Sequence, residues 1–299
     1  MHWNIVRFDT LDSTNLEARR MIQNQSTGQS LHGTVVTAGQ QTGGKGRLGR
    51  VWESPSGTGL WFTAIIQPQV PMEQASLYSF AAAVSVAEAI RQAADLEATL
   101  KWPNDVLLNG KKLCGILLEL IPYSKTEYYI AIGIGINVRQ RKEDFPPELQ
   151  EKAASLAMFS EKIIDQPALL DTILQQLKRT CTQLEAQGFA PLRDQWKAWS
   201  AIIGQEVSVQ QYGNVFARMI GTMRCRIAAM IRSKDQQIIV PKLRQQCAEL
   251  CVKRIQCVRI ACNVAAMPIG AVKFHQIDKT QSFKIPCGNL NGFPHAVIV

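Results

Sequence analysis

Hydrophobic and polar positions along this chain repeat with two periods, and the switches between them mark its elements. Asp12-Ser13-Thr14-Asn15-Leu16-Glu17 opens a short helix to about Gln23, because Thr14 and Glu17 have the spacing of a capping box. The β-branched run from Gly33 to Ala38 and the apolar run from Thr58 to Gln67 predict strands. After Pro71, Leu77, Phe80, Ala81 and Val84 share one helical face, and that pattern ends near Ala94. Thr99 to Trp102 reads as a strand end stopped by Pro103. Leu113 to Leu120 and Glu127 to Val138 predict two more strands, joined by a turn around Pro122 to Lys125. A long helix is predicted from Pro167 to about Gln187, with Leu170, Ile173, Leu174, Leu177, Cys181 and Leu184 at helical spacing, Asp165 near its start and Gly188 after its end.

Composition divides the chain. Its 299 residues suit one sizeable domain and a smaller one. From residue 1 to 203 the sequence has 20 Lys+Arg against 20 Asp+Glu, and from 204 to 299 it has 13 against 4, so the last third carries the whole net charge of +9. That segment also holds Cys225, Cys247, Cys251, Cys257, Cys262 and Cys287, which places a boundary near Gly204. The cysteines form no C-x-x-C pairs, which disfavours a zinc site. No apolar run approaches the ~20 residues of a membrane helix, and the residues after Met1 do not resemble a secretory signal, so a cytoplasmic protein is expected.

Four segments carry candidate chemistry. Gln41 to Arg50 packs four glycines with Lys45, Arg47 and Arg50, a composition that lets backbone amides and cations close on phosphate groups, although a basic surface loop has the same composition. It lacks the Gly-Lys-Ser/Thr ending of a P-loop. Lys101-Trp102-Pro103-Asn104-Asp105 sets a cation, an indole and a carboxylate at a strand end; Asp105 suits alignment of an amine nucleophile, and a plain turn is the bland alternative. Lys112 begins a strand in which Gly115 admits close approach, and it suits neutralisation of a carboxylate or α-phosphate, or else a solvated hairpin lysine. Gly133 and Gly135 lie on one face of an apolar strand, leaving room for a flat group against the sheet.

Together with Asp-Ser-Thr-Asn at 12 to 15, the stretches Gly-Lys-Gly-Arg-Leu-Gly-Arg at 44 to 50, Lys-Trp-Pro-Asn-Asp at 101 to 105, Lys-Leu-Cys-Gly-Ile-Leu at 112 to 117 and Gly-Ile-Gly-Ile-Asn at 133 to 137 resemble the biotin-protein ligase family. The resemblance implies an α/β (α+β) fold, a mixed sheet flanked by helices like that of class II aminoacyl-tRNA synthetases, followed by a small SH3-like β-barrel. It implies two steps: biotin and ATP with Mg2+ give biotinyl-adenylate, and a lysine of a biotin carboxyl carrier protein or domain, of the acetyl-CoA carboxylase type, then takes the biotin. By motif, Ser13, Thr14, Asn15, Gln41, Lys45, Gly46, Arg47, Lys112 and Gly115 would bind biotin. Lys45, Arg47, Arg50, Trp52, Asn104, Lys112 and Asn137 would bind ATP, and Arg47, Asp105 and Lys112 would be catalytic. No protein side chain is expected to ligate a metal. Lys45 stands where the family commonly has arginine, which keeps the charge and loses the bidentate fork.

The motifs begin at Asp12, which leaves no room before them for the helix-turn-helix of bifunctional relatives, so a monofunctional ligase without DNA binding, monomer or homodimer, is expected. The expected organisation is a catalytic domain at 1–200, a degenerate barrel at 201–240 whose hairpin spans Ile231 to Ile239, and an unassigned basic, Cys-rich extension at 241–299 with the character of an altered reading frame. Three other readings stand beside this one: a lipoate ligase, whose Arg-Arg-x-x-Gly-Gly-Gly pattern is absent; a nucleic-acid binder using the basic tail; and a biotin binder without catalysis.

Overall fold

The computed structural model describes residues 1–26, 28–124, 127–211, 214–220 and 272–276. These fall in two compact units, Met1–Ala201 and Ile202–Val299.

The first unit is built on seven strands, β1 Asn4–Leu11, β2 Thr34–Gln41, β3 Gly59–Ile66, β4 Ala98–Lys101, β5 Asp105–Leu108, β6 Lys111–Pro122 and β7 Tyr128–Asn137. They lie in the order β1-β2-β3-β7-β6-β5-β4, with β1 and β2 parallel and every other pair antiparallel, so the sheet is mixed as expected. All eight residues of β3 are buried, as are nine of the ten in β7, because helices cover both faces at the middle of the sheet. On one face, α1 Thr14–Gln23 sets Ala18 and Ile22 against Ile65, Ile121, Tyr129 and Ala131. On the other lie α2 Leu77–Ala94 and α3 Gln166–Gln187, which pack on each other and share a buried Ser85 to Thr180 hydroxyl pair at 2.7 Å.

The predicted ends of α3 agree with its Asp165 N-cap and its Gly188 C-cap at φ 71. At α1 the expectation needs correction. Its N-cap is Ser13, with no side-chain capping bond, so Thr14 is the first helical residue and its hydroxyl is free to face the sheet. Of the strands and α-helices of the first unit, three escaped the sequence pattern, one of them the four-residue β5, which follows a stretch read as a strand end and turn. Strand β1 lies at an edge with a largely exposed, irregular polar pattern, and α4 Ala190–Ala198 buries only Leu192 and Trp196. Trp196 and Phe189 meet Phe80 edge to face, at 5.5 and 5.1 Å between centroids, and so fasten α4 to α2.

The second unit contains an antiparallel sheet of β8 Glu206–Gln211, β9 Asn214–Ile220 and β10 Val272–Gln276, in the order β10-β8-β9. The hairpin expected at 231–239 lies outside the described residues, as does the rest of the 241–299 extension apart from β10.

Candidate active site

An open cleft of ≈ 460 Å³ lies on the α1 face of the sheet. One end is polar and neutral. There the N-terminus of α1 presents Ser13, Thr14 and Asn15, all buried, beside Gln41 at the end of β2. Gln41 Oε1 accepts the Thr14 amide at 2.8 Å, and Gln41 Nε2 donates to Ser54 Oγ at 2.8 Å, so the Gln41 amide is held at both ends. Asn15 Nδ2 donates to Glu119 Oε2 at 2.9 Å and to the Leu117 carbonyl at 3.3 Å, and Arg19 holds the other carboxylate oxygen at 3.3 Å. Thr63 Oγ1, fully buried on β3, lies 2.8 Å from Thr14 Oγ1 and 2.6 Å from Asn15 Oδ1.

The other end is cationic, with Lys45, Arg47 and Lys112 on its lining. Lys112 reaches the cleft through a β-bulge. Asp105 pairs with Gly115 and Val106 with Cys114, but Leu107 pairs with Lys112, so Leu113 is the extra residue. Without it, strict alternation would set Lys112 on the face opposite Gly115; with it, Lys112 shares a face with Gly115 and with Asp105. Its Nζ then lies 2.7 Å from Asp105 Oδ1 and 5.3 Å from the centre of the Trp52 ring. The Lys112 backbone is pinned as well, since its N–H donates to Lys152 O at 2.7 Å and its carbonyl accepts the Ala154 N–H at 2.8 Å.

Arg47 Nη1 donates to Asn104 Oδ1 at 3.3 Å, and Asn104 is clamped to β6 by Nδ2 to Ile116 O at 3.0 Å. Arg47 is exposed as a residue, yet protein crowds its guanidinium on the cleft side. The resulting desolvation pushes its pKa below the ordinary value while nearby Asp105 opposes the shift, and arginine starts so high that the charge remains.

Glycines set the shape between the two ends. A Cβ on Gly135 would lie 2.6 Å from Trp52 Nε1 and one on Gly115 2.9 Å from the Trp52 ring, while one on Gly133 would collide with Asn15 Oδ1. The space these glycines clear is therefore taken by the Trp52 indole and the Asn15 amide, not left open against the sheet.

Of the residues singled out from sequence, Ser13, Thr14, Asn15, Gln41, Lys45, Gly46, Arg47, Trp52, Asn104, Lys112 and Gly115 line the cleft. Three lie off its lining. Asp105 touches it through Lys112. Arg50 is exposed on the loop, where its carbonyl accepts the Gly46 N–H at 2.7 Å. Asn137 is buried, its Nδ2 donating to Ala154 O at 2.9 Å and its Oδ1 accepting from Gln140 Nε2 at 3.3 Å. Thr63, Glu119 and Arg19 were not singled out, although a threonine in the middle of an otherwise apolar strand was a signal.

Residues 9–137 match the model of the Biotin/lipoate A/B protein ligase family. The biotin--[acetyl-CoA-carboxylase] ligase of Paracoccus denitrificans is 34% identical over 200 residues, which are 66% of this chain and 80% of that protein. The chain belongs to the biotin protein ligase family. Another relative in it, the bifunctional ligase/repressor BirA of Bacillus subtilis, is 34% identical over 216 residues, 72% of this chain; the match spans 65% of the relative's length. Among solved members, the biotin protein ligase of Aquifex aeolicus in complex with biotin and ATP superposes with a TM-score of 0.61 at 29% identity, covering 73% of this chain and 85% of that one.

Proposed function

We propose that this chain is a biotin--[acetyl-CoA-carboxylase] ligase, with residues 1–200 as the catalytic body and 201–240 as a degenerate small barrel, in a fold of the class II aminoacyl-tRNA synthetase type. The observation that carries the reading is the polarity of the cleft. A neutral floor of hydroxyls and amides lies at one end and Lys45, Arg47 and Lys112 lie at the other, as a ligand with a urea ring and a carboxylate requires.

In the first step a carboxylate oxygen of biotin attacks the α-phosphorus of ATP, and the bond to the β-phosphate breaks to release pyrophosphate. Lys112 and Arg47 would hold the carboxylate and α-phosphate together and offset the negative charge that builds between them. In the second step the amine of a carrier lysine attacks the acyl carbon, the bond to the phosphate oxygen breaks, and AMP leaves. A free lysine amine is scarce at neutral pH, because its ordinary pKa is about 10.4. Asp105, released when Lys112 turns to the ligand, would orient that amine and receive its proton. Magnesium would neutralise the nucleotide phosphates; among the described residues no group of three or more His, Cys, Asp or Glu forms a cradle for it, so no step is assigned to a protein-held metal. No helix among the described residues is long and apolar enough to cross a membrane.

The test is ATP-dependent incorporation of labelled biotin into a purified biotin carrier domain, run beside pyrophosphate release and a Lys112→Ala variant. Incorporation that Lys112→Ala abolishes is the expected result. Absence of both signals in the unaltered protein would overturn the reading.

A further inference from the structure

The cleft floor contains more hydroxyl contacts than hydroxyl protons, and the way this resolves assigns a role to two residues outside the family motifs. Glu119 is the fixed point. Arg19 holds one of its carboxylate oxygens, and a carboxylate so paired only accepts, so the Asn15 atom 2.9 Å from the other oxygen is the amide nitrogen. The Leu117 carbonyl, also an acceptor, lies 3.3 Å from the same nitrogen. Asn15 therefore turns its oxygen to Thr63, 2.6 Å away. An amide oxygen cannot donate, so Thr63 gives Asn15 its one proton and has only lone pairs for Thr14 Oγ1 at 2.8 Å. Thr63 Oγ1 is also set as a donor toward Thr14 Oγ1, but with its one proton given to Asn15 the 2.8 Å contact is closed by the Thr14 proton, which then points inward at Thr63. Gln41 Oε1, 3.2 Å from the Thr14 hydroxyl and already an acceptor of the Thr14 amide, is the alternative acceptor among the described residues, and it too lies within the protein. In both cases the Thr14 proton is engaged within the protein, and what Thr14, a lining residue of the cleft, has left for a ligand is a lone pair.

We propose that Thr63 and Glu119 are positioning residues that keep the Thr14 hydroxyl a hydrogen-bond acceptor toward the ligand, so that the enzyme selects an N–H at that point of the biotin ring. The inference rests on the biotin reading above. Glu119 acts through Asn15, Asn15 through Thr63 and Thr63 through Thr14; neither Thr63 nor Glu119 lines the cleft.

The experiment measures binding of biotin and of the two cyclic carbamates in which a ring oxygen replaces one or the other ureido N–H, by calorimetry on the full chain. The unaltered protein should bind one carbamate about 10- to 100-fold more weakly than biotin, because two acceptors would then face each other. In Thr63→Val the Thr14 proton keeps as inward partner only Gln41 Oε1, 3.2 Å away and already accepting the Thr14 amide, and so can turn to the ligand; the preference should shrink to within about 3-fold, while Thr63→Ser, which keeps the relay, should retain it. Glu119→Gln lets Asn15 reverse and should shrink the preference in the same way, without touching β3. Equal binding of biotin and both carbamates by the unaltered protein, or a preference that survives in both Thr63→Val and Glu119→Gln, would overturn the inference while leaving the ligase reading intact. Failure of the unaltered protein to bind biotin would sink both.

Discussion

Lys112 and Asp105 meet at 2.7 Å because a single extra residue in β6, Leu113, turns the lysine onto the face that carries the aspartate. The pair holds each charge in a geometry from which a ligand carboxylate or phosphate would draw the lysine away. Replacing Lys112 by Ala should lower pyrophosphate release by about 10²- to 10³-fold, as for removal of one preorganised charge-stabilising donor. Asp105→Ala should instead lower transfer to the carrier more than pyrophosphate release. Assays of the two half-reactions read this directly, and an equal loss in both would remove Asp105 from the second step.

Gly133 supports Asn15 by having no side chain, since a methyl group there would collide with Asn15 Oδ1. Gly133→Ala should force Asn15 out of its contacts with Thr63 and Glu119 at an overpacking cost of ~1–3 kcal/mol. Biotin affinity and the melting temperature should fall together, and calorimetry with thermal denaturation would report both. Loss of neither would mean that Asn15 has slack that the structure does not show.

Leu177 is fully buried on α3, the helix that packs on α2. Leu177→Ala should lower the unfolding free energy by ~2–5 kcal/mol, because the rigid helix pair cannot close the cavity. Urea denaturation followed by circular dichroism measures it. The cleft lies on the other face of the sheet, so biotin affinity at low temperature should hold.

His32 sets a pH response. Its Nδ1 accepts the Gln67 N–H at 3.1 Å, and burial pushes its pKa below the ordinary histidine value, with Glu185 opposing. The folded form thus prefers the neutral ring. That preference leaves stability intact above the unfolded value of about 6.5 and erodes it as the pH falls through that value toward the lower folded one. Melting temperatures from pH 8 to 5 should decline in the unaltered protein and decline less in His32→Asn. Identical slopes would assign the response to other groups.

The motifs around Thr14, Lys45, Asp105, Lys112 and Gly133 were legible in the sequence because each combines residue types that packing alone seldom demands at such spacing, and the α2 and α3 helices were legible because their apolar positions recur with helical period. Strand β1 was not, since an exposed edge strand needs no alternating apolar face. The face on which Lys112 emerges was also hidden, because a bulge is a property of the pairing between β5 and β6 and alternation within β6 alone points the wrong way. Asn137 belongs to the same class: its motif suggested a ligand contact, and the fold turned its amide inward to Ala154 and Gln140. Local sequence thus determined which chemical groups the protein carries and most of the elements that hold them. Only the tertiary structure decided which of them share the cleft and that Thr63 lies against Thr14 and Asn15, because Thr63 is more than forty residues away from both in the chain.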